Sequence, residues 1–118
     1  MITDTLQIEE AVSQIIKDNS CLPLRLEDFL DTCPHPAWAI HVCAQSIDEL
    51  LEQLQREFAQ TDAEDLDSII LYIRTASLTL ADLSRIERLL PRTPHFKKGL
   101  GYNPAVPGID FWLFAGSV

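Results

Sequence analysis

The sequence lacks long apolar runs and closely paired cysteines, and each absence excludes a class of protein. The apolar run Ile69–Ile73 is far shorter than the roughly 18 residues that a membrane span requires, so no membrane partner is expected. Cys21, Cys33 and Cys43 are spaced twelve and ten residues apart, which fits neither a C-x-x-C zinc motif nor a disulfide framework. The first residues do not resemble a secretory signal, and the expected location is therefore the cytoplasm.

Basic residues are also scarce, and the charge is unevenly distributed along the chain. Lys and Arg number 9 against 18 Asp and Glu, which gives a formal net charge of −9. Because such a surface repels phosphate backbones, nucleic acid is not an expected partner. Residues 1–84 hold four basic and sixteen acidic side chains, whereas residues 85–118 hold five and two. This polarity favours another protein as the partner.

The residues that are present predict a single folded domain. With 118 residues, of which 47% are hydrophobic, the chain can build one ordinary core. Residues 1–118 contain no internal repeat, linker or low-complexity tract. We therefore expect one globular domain over the whole range.

Helices and strands alternate in the predicted order. Apolar periodicity and capping signals predict four helices, beginning near residues 4, 26, 46 and 79. Runs of β-branched and aromatic residues predict strands at 37–44, 68–75 and 109–114, although 68–75 also fits one face of a helix. The order predicts an α+β fold, or a small α/β fold, with a three- to four-stranded, mostly parallel sheet covered by about four helices. The apolar strand at 109–114 could lie at a sheet edge and support a homodimer.

A basic and aromatic segment near the C-terminus is the first candidate for function. Residues 92–108 contain three prolines and three glycines and are predicted to form a long loop. The leading hypothesis is a non-enzymatic protein-binding or regulatory domain that acts through an acidic body and this loop. Alternatively, the basic stretch docks on the acidic body of the same domain. The interface candidates are Arg85, Arg88, Arg92, His95, Phe96, Lys97, Lys98 and Tyr102.

Two His–Cys pairs offer a second functional hypothesis. Cys33 and His35 are two residues apart, and so are His41 and Cys43. Residues at i and i+2 of a strand share a face, so His41 and Cys43 could reach one ion. A small metal-binding protein or a Cys/His-dependent enzyme is therefore an alternative. A buried histidine beside a structural thiol explains the same pattern, and the sequence assigns no metal, other cofactor or catalytic residue.

Acidic residues provide a third hypothesis and one specific pairing. The acidic body could belong to an inhibitor or immunity-type protein that blocks a basic nucleic-acid-binding partner. Asp110 lies among apolar neighbours and is expected to be partly buried. Because a buried carboxylate needs a partner, Arg74 or a lysine of the predicted loop is expected to pair with it.

Overall fold

The computed structural model describes residues 2–17, 20–59, 67–76, 79–90, 92–102 and 108–117, excluding the side chains of residues 20–22, 102 and 117. Its helices are α1 (Thr5–Lys17), α2 (Leu26–Thr32), α3 (Ile47–Ala59) and α4 (Leu80–Leu89). Its strands are β1 (Ser20–Leu22), β2 (His35–Ala44), β3 (Ser68–Thr75), β4 (His95–Tyr102) and β5 (Ile109–Ser117). The α+β class is confirmed. No helix within these ranges is long and apolar enough to cross a membrane.

The prediction of a mostly parallel sheet is wrong. Four main strands and the three-residue β1 form one sheet in the order β1-β4-β3-β5-β2. Among the described strands, only β3 and β4 pair in parallel, and the other three pairings are antiparallel. The strands β2, β3 and β4 do run in one direction, as β-α-β units require. However, β5 enters between β3 and β2 in the opposite direction and creates two antiparallel ladders.

The prediction of a long loop over residues 92–108 is also wrong for residues 95–102, which form β4, while residues 103–107 lie outside the described part of the chain. This strand pairs with β3 along its whole length, from His95 opposite Ser68 to Tyr102 opposite Thr75. Gly99 and Gly101 weakened the strand signal, yet Gly101 has a packing role. A Cβ atom at Gly101 would lie 2.3 Å from the Tyr72 hydroxyl, so the ring of Tyr72 occupies the space above that glycine.

Helices cover both faces of the sheet, and the described residues form two apolar clusters, one on each face. Helices α3 and α4 cover one face, where Leu50, Leu54 and Ile86 are fully buried against the strands. Helices α1 and α2 cover part of the other face, where Ile8 and Phe29 pack on β2, β3 and β5. Burial on both faces explains the continuous apolarity of residues 68–75, which form a central strand and not a helix.

The predicted N-termini of α1, α3 and α4 are confirmed by capping hydrogen bonds. The Asp4 carboxylate accepts hydrogen bonds from the backbone N–H groups of Leu6 and Gln7, at 2.9 and 3.2 Å. Thr79 and Ser46 accept in the same way from the third residue of their helices. These short-range bonds satisfy helix donors that have no partner within the helix, which is why they can be recognised in sequence.

The C-terminal strand is internal, not an edge as the sequence allowed. In the described part of the chain, β5 lies between β3 and β2, and β1 and β2 form the two edges. Ile2 pairs with Ala39 of β2 through two backbone hydrogen bonds of 2.7 and 2.8 Å. An edge dimer formed by β5 is therefore not available to this sheet.

Candidate functional site

Polar side chains gather on one half of the sheet face that α1 and α2 cover. Cys43, Asp110 and Arg74 lie opposite one another on the adjacent strands β2, β5 and β3. A second cross-strand row follows, in which Trp112 lies between His41 and Tyr72. Facing residues of paired strands have Cβ atoms about 4.5–5.5 Å apart, so the two rows form one compact group.

His41, Cys43 and Asp110 converge at the centre of this group. His41 Nε2 lies 2.5 Å from Asp110 Oδ1. Cys43 Sγ lies 3.6 Å from each of these two atoms. The shared face predicted for His41 and Cys43 is confirmed, since both lie with Ala39 on the face opposite the buried Trp38, Ile40 and Val42. We refer to His41, Cys43 and Asp110 as the His–Cys–Asp cluster.

Arg74 holds the second oxygen of Asp110. Its Nη2 atom lies 2.9 Å from Asp110 Oδ2, and the Asp110 side chain is only 14% exposed. Burial raises the pKa of Asp110, but the hydrogen bond and charge of His41, together with Arg74, outweigh it and hold the pKa below its ordinary value. Asp110 is therefore a carboxylate that accepts hydrogen bonds from both sides. The predicted Arg74–Asp110 pairing is confirmed.

The imidazole ring of His41 is fixed by an aromatic stack. It lies parallel to the Trp112 indole, with ring centroids 4.0 Å apart and an interplanar angle of 6°. Trp112 stacks in turn on Phe114, which is fully buried beneath α1 and α2. The stack leaves the edge of the imidazole directed at Asp110, while about a third of the His41 side chain remains exposed.

A small cleft opens beside the cluster. It has a volume of about 170 Å³. Helix α1 forms one wall through Ala11, Gln14 and Ile15, and the strands supply His41, Tyr72, Arg74, Asp110 and Trp112. A cleft of this size admits a few heavy atoms, which is much less than the 300–1,000 Å³ typical of sites for larger ligands.

The cluster does not have the geometry of a nucleophilic Cys–His–Asp triad. In such a triad the histidine contacts the nucleophile through one ring nitrogen and the carboxylate through the other. Here Cys43 and Asp110 both approach Nε2. Burial and the neighbouring Asp110 carboxylate also raise the pKa of the Cys43 thiol, which opposes formation of a reactive thiolate. Instead, three atoms that could bind a metal ion lie within 4.8 Å of one another.

The other two predicted metal candidates lie elsewhere. His35 begins β2, six residues before His41, or about 20 Å along an extended strand. Cys33 is fully buried in the apolar cluster beneath α1 and α2, and this burial raises the pKa of its thiol despite the opposing effect of a hydrogen bond with Ser68. The structure therefore separates the two His–Cys pairs. It adds Asp110, which sequence reasoning treated only as an ion-pair residue.

The basic candidates are spread along α4, β4 and the residues between them, and three of them contact acidic residues, two of which belong to the acidic body of residues 1–84. Arg85 lies 2.8 Å from Asp48, Lys98 lies 2.9 Å from Glu87, and Lys97 lies 3.6 Å from Asp28. Intramolecular docking on the acidic body predicts the contacts of Arg85 and Lys97, whereas the partner of Lys98, Glu87, lies within the basic stretch itself. The side chains of Arg88, Arg92, His95 and Phe96 are exposed, and the side chain of Tyr102 falls outside the described part of the chain.

No model of a known protein family matches the chain, and no curated protein sequence matches it either. The function of the chain must therefore be inferred from the chemistry of its own residues.

Proposed function

We propose that this protein binds a divalent transition-metal ion, foremost Zn²⁺, through His41 Nε2, Cys43 Sγ and Asp110 Oδ1. The observation that carries the proposal is the convergence of three different ligand atoms within 4.8 Å of one another. Adjacent strands of one sheet position them, so little backbone movement is needed to bring them to one ion.

The separations of the three atoms support a tetrahedral site. Zinc bonds of about 2.3 Å to sulfur and about 2.0–2.1 Å to nitrogen and oxygen place an S and an N or O ligand about 3.5–3.6 Å apart. Cys43 Sγ already lies 3.6 Å from both His41 Nε2 and Asp110 Oδ1. Only the pair His41–Asp110, at 2.5 Å, must open, to roughly 3.3 Å. The ion would replace one direct hydrogen bond with two metal bonds.

The ligand types and their neighbours favour zinc over hard cations. Magnesium and calcium prefer oxygen ligands, whereas a mixed thiolate, imidazole and carboxylate set suits Zn²⁺ and similar ions. Arg74 holds Asp110 Oδ2, which leaves Oδ1 as the coordinating oxygen. The Trp112 stack fixes the orientation of His41. Such supporting contacts tune metal affinity by orienting the ligands.

Three protein ligands leave a fourth position for an exchangeable ligand. Cys43 is exposed and His41 is partly exposed, so water can reach the proposed ion. Zinc sites with three protein ligands and one open position are those that bind water or substrate. The cleft of about 170 Å³ beside the cluster would limit any such substrate to a few heavy atoms.

Metal titration tests the proposal directly. Purified protein is expected to bind one equivalent of Zn²⁺ or Co²⁺, with a thiolate-to-cobalt charge-transfer band that identifies Cys43 as a ligand. Replacements His41→Ala and Cys43→Ser should each weaken binding by at least a hundredfold. His35→Ala, which removes an exposed histidine from the same strand, is the matched control and should bind normally. Absence of stoichiometric binding, or equal binding by His41→Ala, would contradict the proposal.

One exposed aromatic side chain favours a second function, the binding of another protein. Phe96 is 41% exposed and lines a shallow cleft of about 360 Å³ with Arg92. Exposed aromatic and arginine side chains in such positions carry much of the affinity at protein interfaces. We expect Arg92→Ala and Phe96→Ala to weaken capture of a partner from cell lysate without lowering the melting temperature. Full recovery of the same partner by both variants would exclude this surface.

A further inference from the structure

The cleft beside the His–Cys–Asp cluster has a charged wall and a largely apolar wall. The strands supply Asp110 and Arg74, which are the two carboxylate and guanidinium side chains that line the cleft in the described part of the chain. Helix α1 supplies Ala11 and Ile15, which are 6% and 5% exposed, together with the uncharged Gln14. A ligand in the cleft therefore meets charged groups on the sheet and mainly apolar side chains on the helix.

Metal binding at the cluster would leave one positive charge beside the cleft. A divalent ion carries two charges, and the Cys43 thiolate and the Asp110 carboxylate cancel both, because His41 binds a metal as the neutral imidazole. The guanidinium of Arg74, 2.9 Å from Asp110 Oδ2, then adds a single positive charge. A recess with low-dielectric walls concentrates the field of such a charge. The open position of the ion therefore favours an anion over a neutral ligand.

Asp110 shows how one anion can contact both positive groups. Its Oδ1 atom is the proposed metal ligand, and its Oδ2 atom accepts a hydrogen bond from Arg74 Nη2. The ion and the guanidinium would thus lie side by side against a single carboxylate. A second carboxylate, supplied by a ligand, can span the same two groups in the same way, since arginine presents its N–H donors in a planar fork that suits carboxylates.

The size of the cleft limits the rest of the ligand. At roughly 30 Å³ for each water-sized group, a volume of about 170 Å³ holds about five or six heavy atoms. After the carbon and oxygen atoms of a carboxylate, this leaves about two or three further carbon atoms. Ala11 and Ile15 offer those atoms an apolar surface, which an inorganic anion such as phosphate would not use.

We propose that this protein binds a short monocarboxylate, such as acetate, propionate or butyrate, at the open position of the metal ion. The carboxylate group lies between the ion and Arg74, and the alkyl group lies against Ala11 and Ile15. This inference rests on the metal site proposed above and adds the chemical class of its exchangeable ligand.

The whole chain loaded with cobalt tests the metal and its ligand separately. Co²⁺ is bound first, and the thiolate-to-cobalt band shows that the site is filled. Propionate is then titrated at constant ionic strength while the ligand-field bands of cobalt are followed. We expect a saturable change with propionate, and at least tenfold weaker binding of benzoate, which is too large, and of inorganic phosphate, which has no apolar part. A normal cobalt band that propionate does not change would overturn this inference alone, whereas absence of cobalt binding would overturn the metal site with it.

Replacement of the arginine tests the charged wall of the cleft. With the site saturated by cobalt, Arg74→Gln should weaken propionate binding at least tenfold, and Arg74→Lys, which keeps the charge, should restore part of the affinity. Arg85→Gln is the matched control, because Arg85 is an exposed cation of α4, which covers the other face of the sheet. Equal propionate affinity of Arg74→Gln and the wild type would overturn the proposal. Equal affinity of the wild type for propionate, benzoate and phosphate would also overturn it, and that comparison needs no variant.

Discussion

The sheet face beneath α1 and α2 has an apolar half and a polar half, built from the same three strands. In the apolar half, Ala39, Phe114 and Ile70 lie in one cross-strand row and are fully buried. The next cross-strand row on this face contains His41 of β2, and the row after it contains Cys43, Asp110 and Arg74. The same three strands run through both halves. The helices, however, do not cover the polar half, where α1 forms only one wall of a small cleft.

This difference shows how a rigid sheet can position exposed polar groups. Where helices cover the strands, an unpaired polar side chain would lose its hydrogen bonds to water, so the row must be apolar. Where helices no longer cover the strands, the same strand register places an imidazole, a thiol and a carboxylate within contact distance at little cost in desolvation free energy. The apolar half then acts as the support of the polar half, through the Phe114–Trp112–His41 stack.

The largest loss of stability is expected from replacing an aromatic residue of this stack. Phe114→Ala should destabilise the domain by about 3–5 kcal/mol, because the side chain is fully buried against Phe29 and Trp112. Trp112→Ala should cost about 1–2 kcal/mol, because Trp112 is only partly buried. Urea denaturation of both variants measures the difference. Equal losses would mean that the two halves are packed alike, which would contradict the comparison.

The positions of the strands of this face were predicted more accurately from the sequence than the way in which those strands pair. The alternation from Trp38 to Cys43 is a local pattern, and it placed His41 and Cys43 on one face correctly. The approach of Asp110 depends on β5 entering the sheet beside β2, and His41 and Asp110 are 69 residues apart in the chain. No local signal encodes that pairing. Strand β4 was missed for a related reason, since Gly101 fits against Tyr72 of the partner strand β3, which short-range patterns do not identify.

A smaller effect is expected where β4 adjoins the polar half. Gly101→Ala would bring a Cβ atom to 2.3 Å from the Tyr72 hydroxyl and 3.0 Å from its ring carbon. The ring must therefore shift, and we expect a loss of about 1–3 kcal/mol in the free energy of unfolding. Combining Gly101→Ala with Tyr72→Phe removes the closest atom and should recover part of that loss. If the two changes are strictly additive in a double-mutant cycle, the hydroxyl is not the source of strain.

The smallest effect on stability is expected at a surface ion pair between Arg85 and Asp48. Its coupling energy can be compared directly with that of the Arg74–Asp110 pair. Arg85 and Asp48 are 47% and 81% exposed, so solvent screens their attraction and a double-mutant cycle should give no more than about 0.5 kcal/mol. The Arg74–Asp110 pair has a nearly buried carboxylate and should couple more strongly, with a weaker response to added salt. Stability measurements of both cycles at low and high salt make the comparison. Equal coupling would mean that Arg74 is another surface cation and not a support for Asp110. The weak coupling expected at Arg85 has a further consequence, because a cation that adds so little to folding can be redirected to a partner at almost no cost in stability.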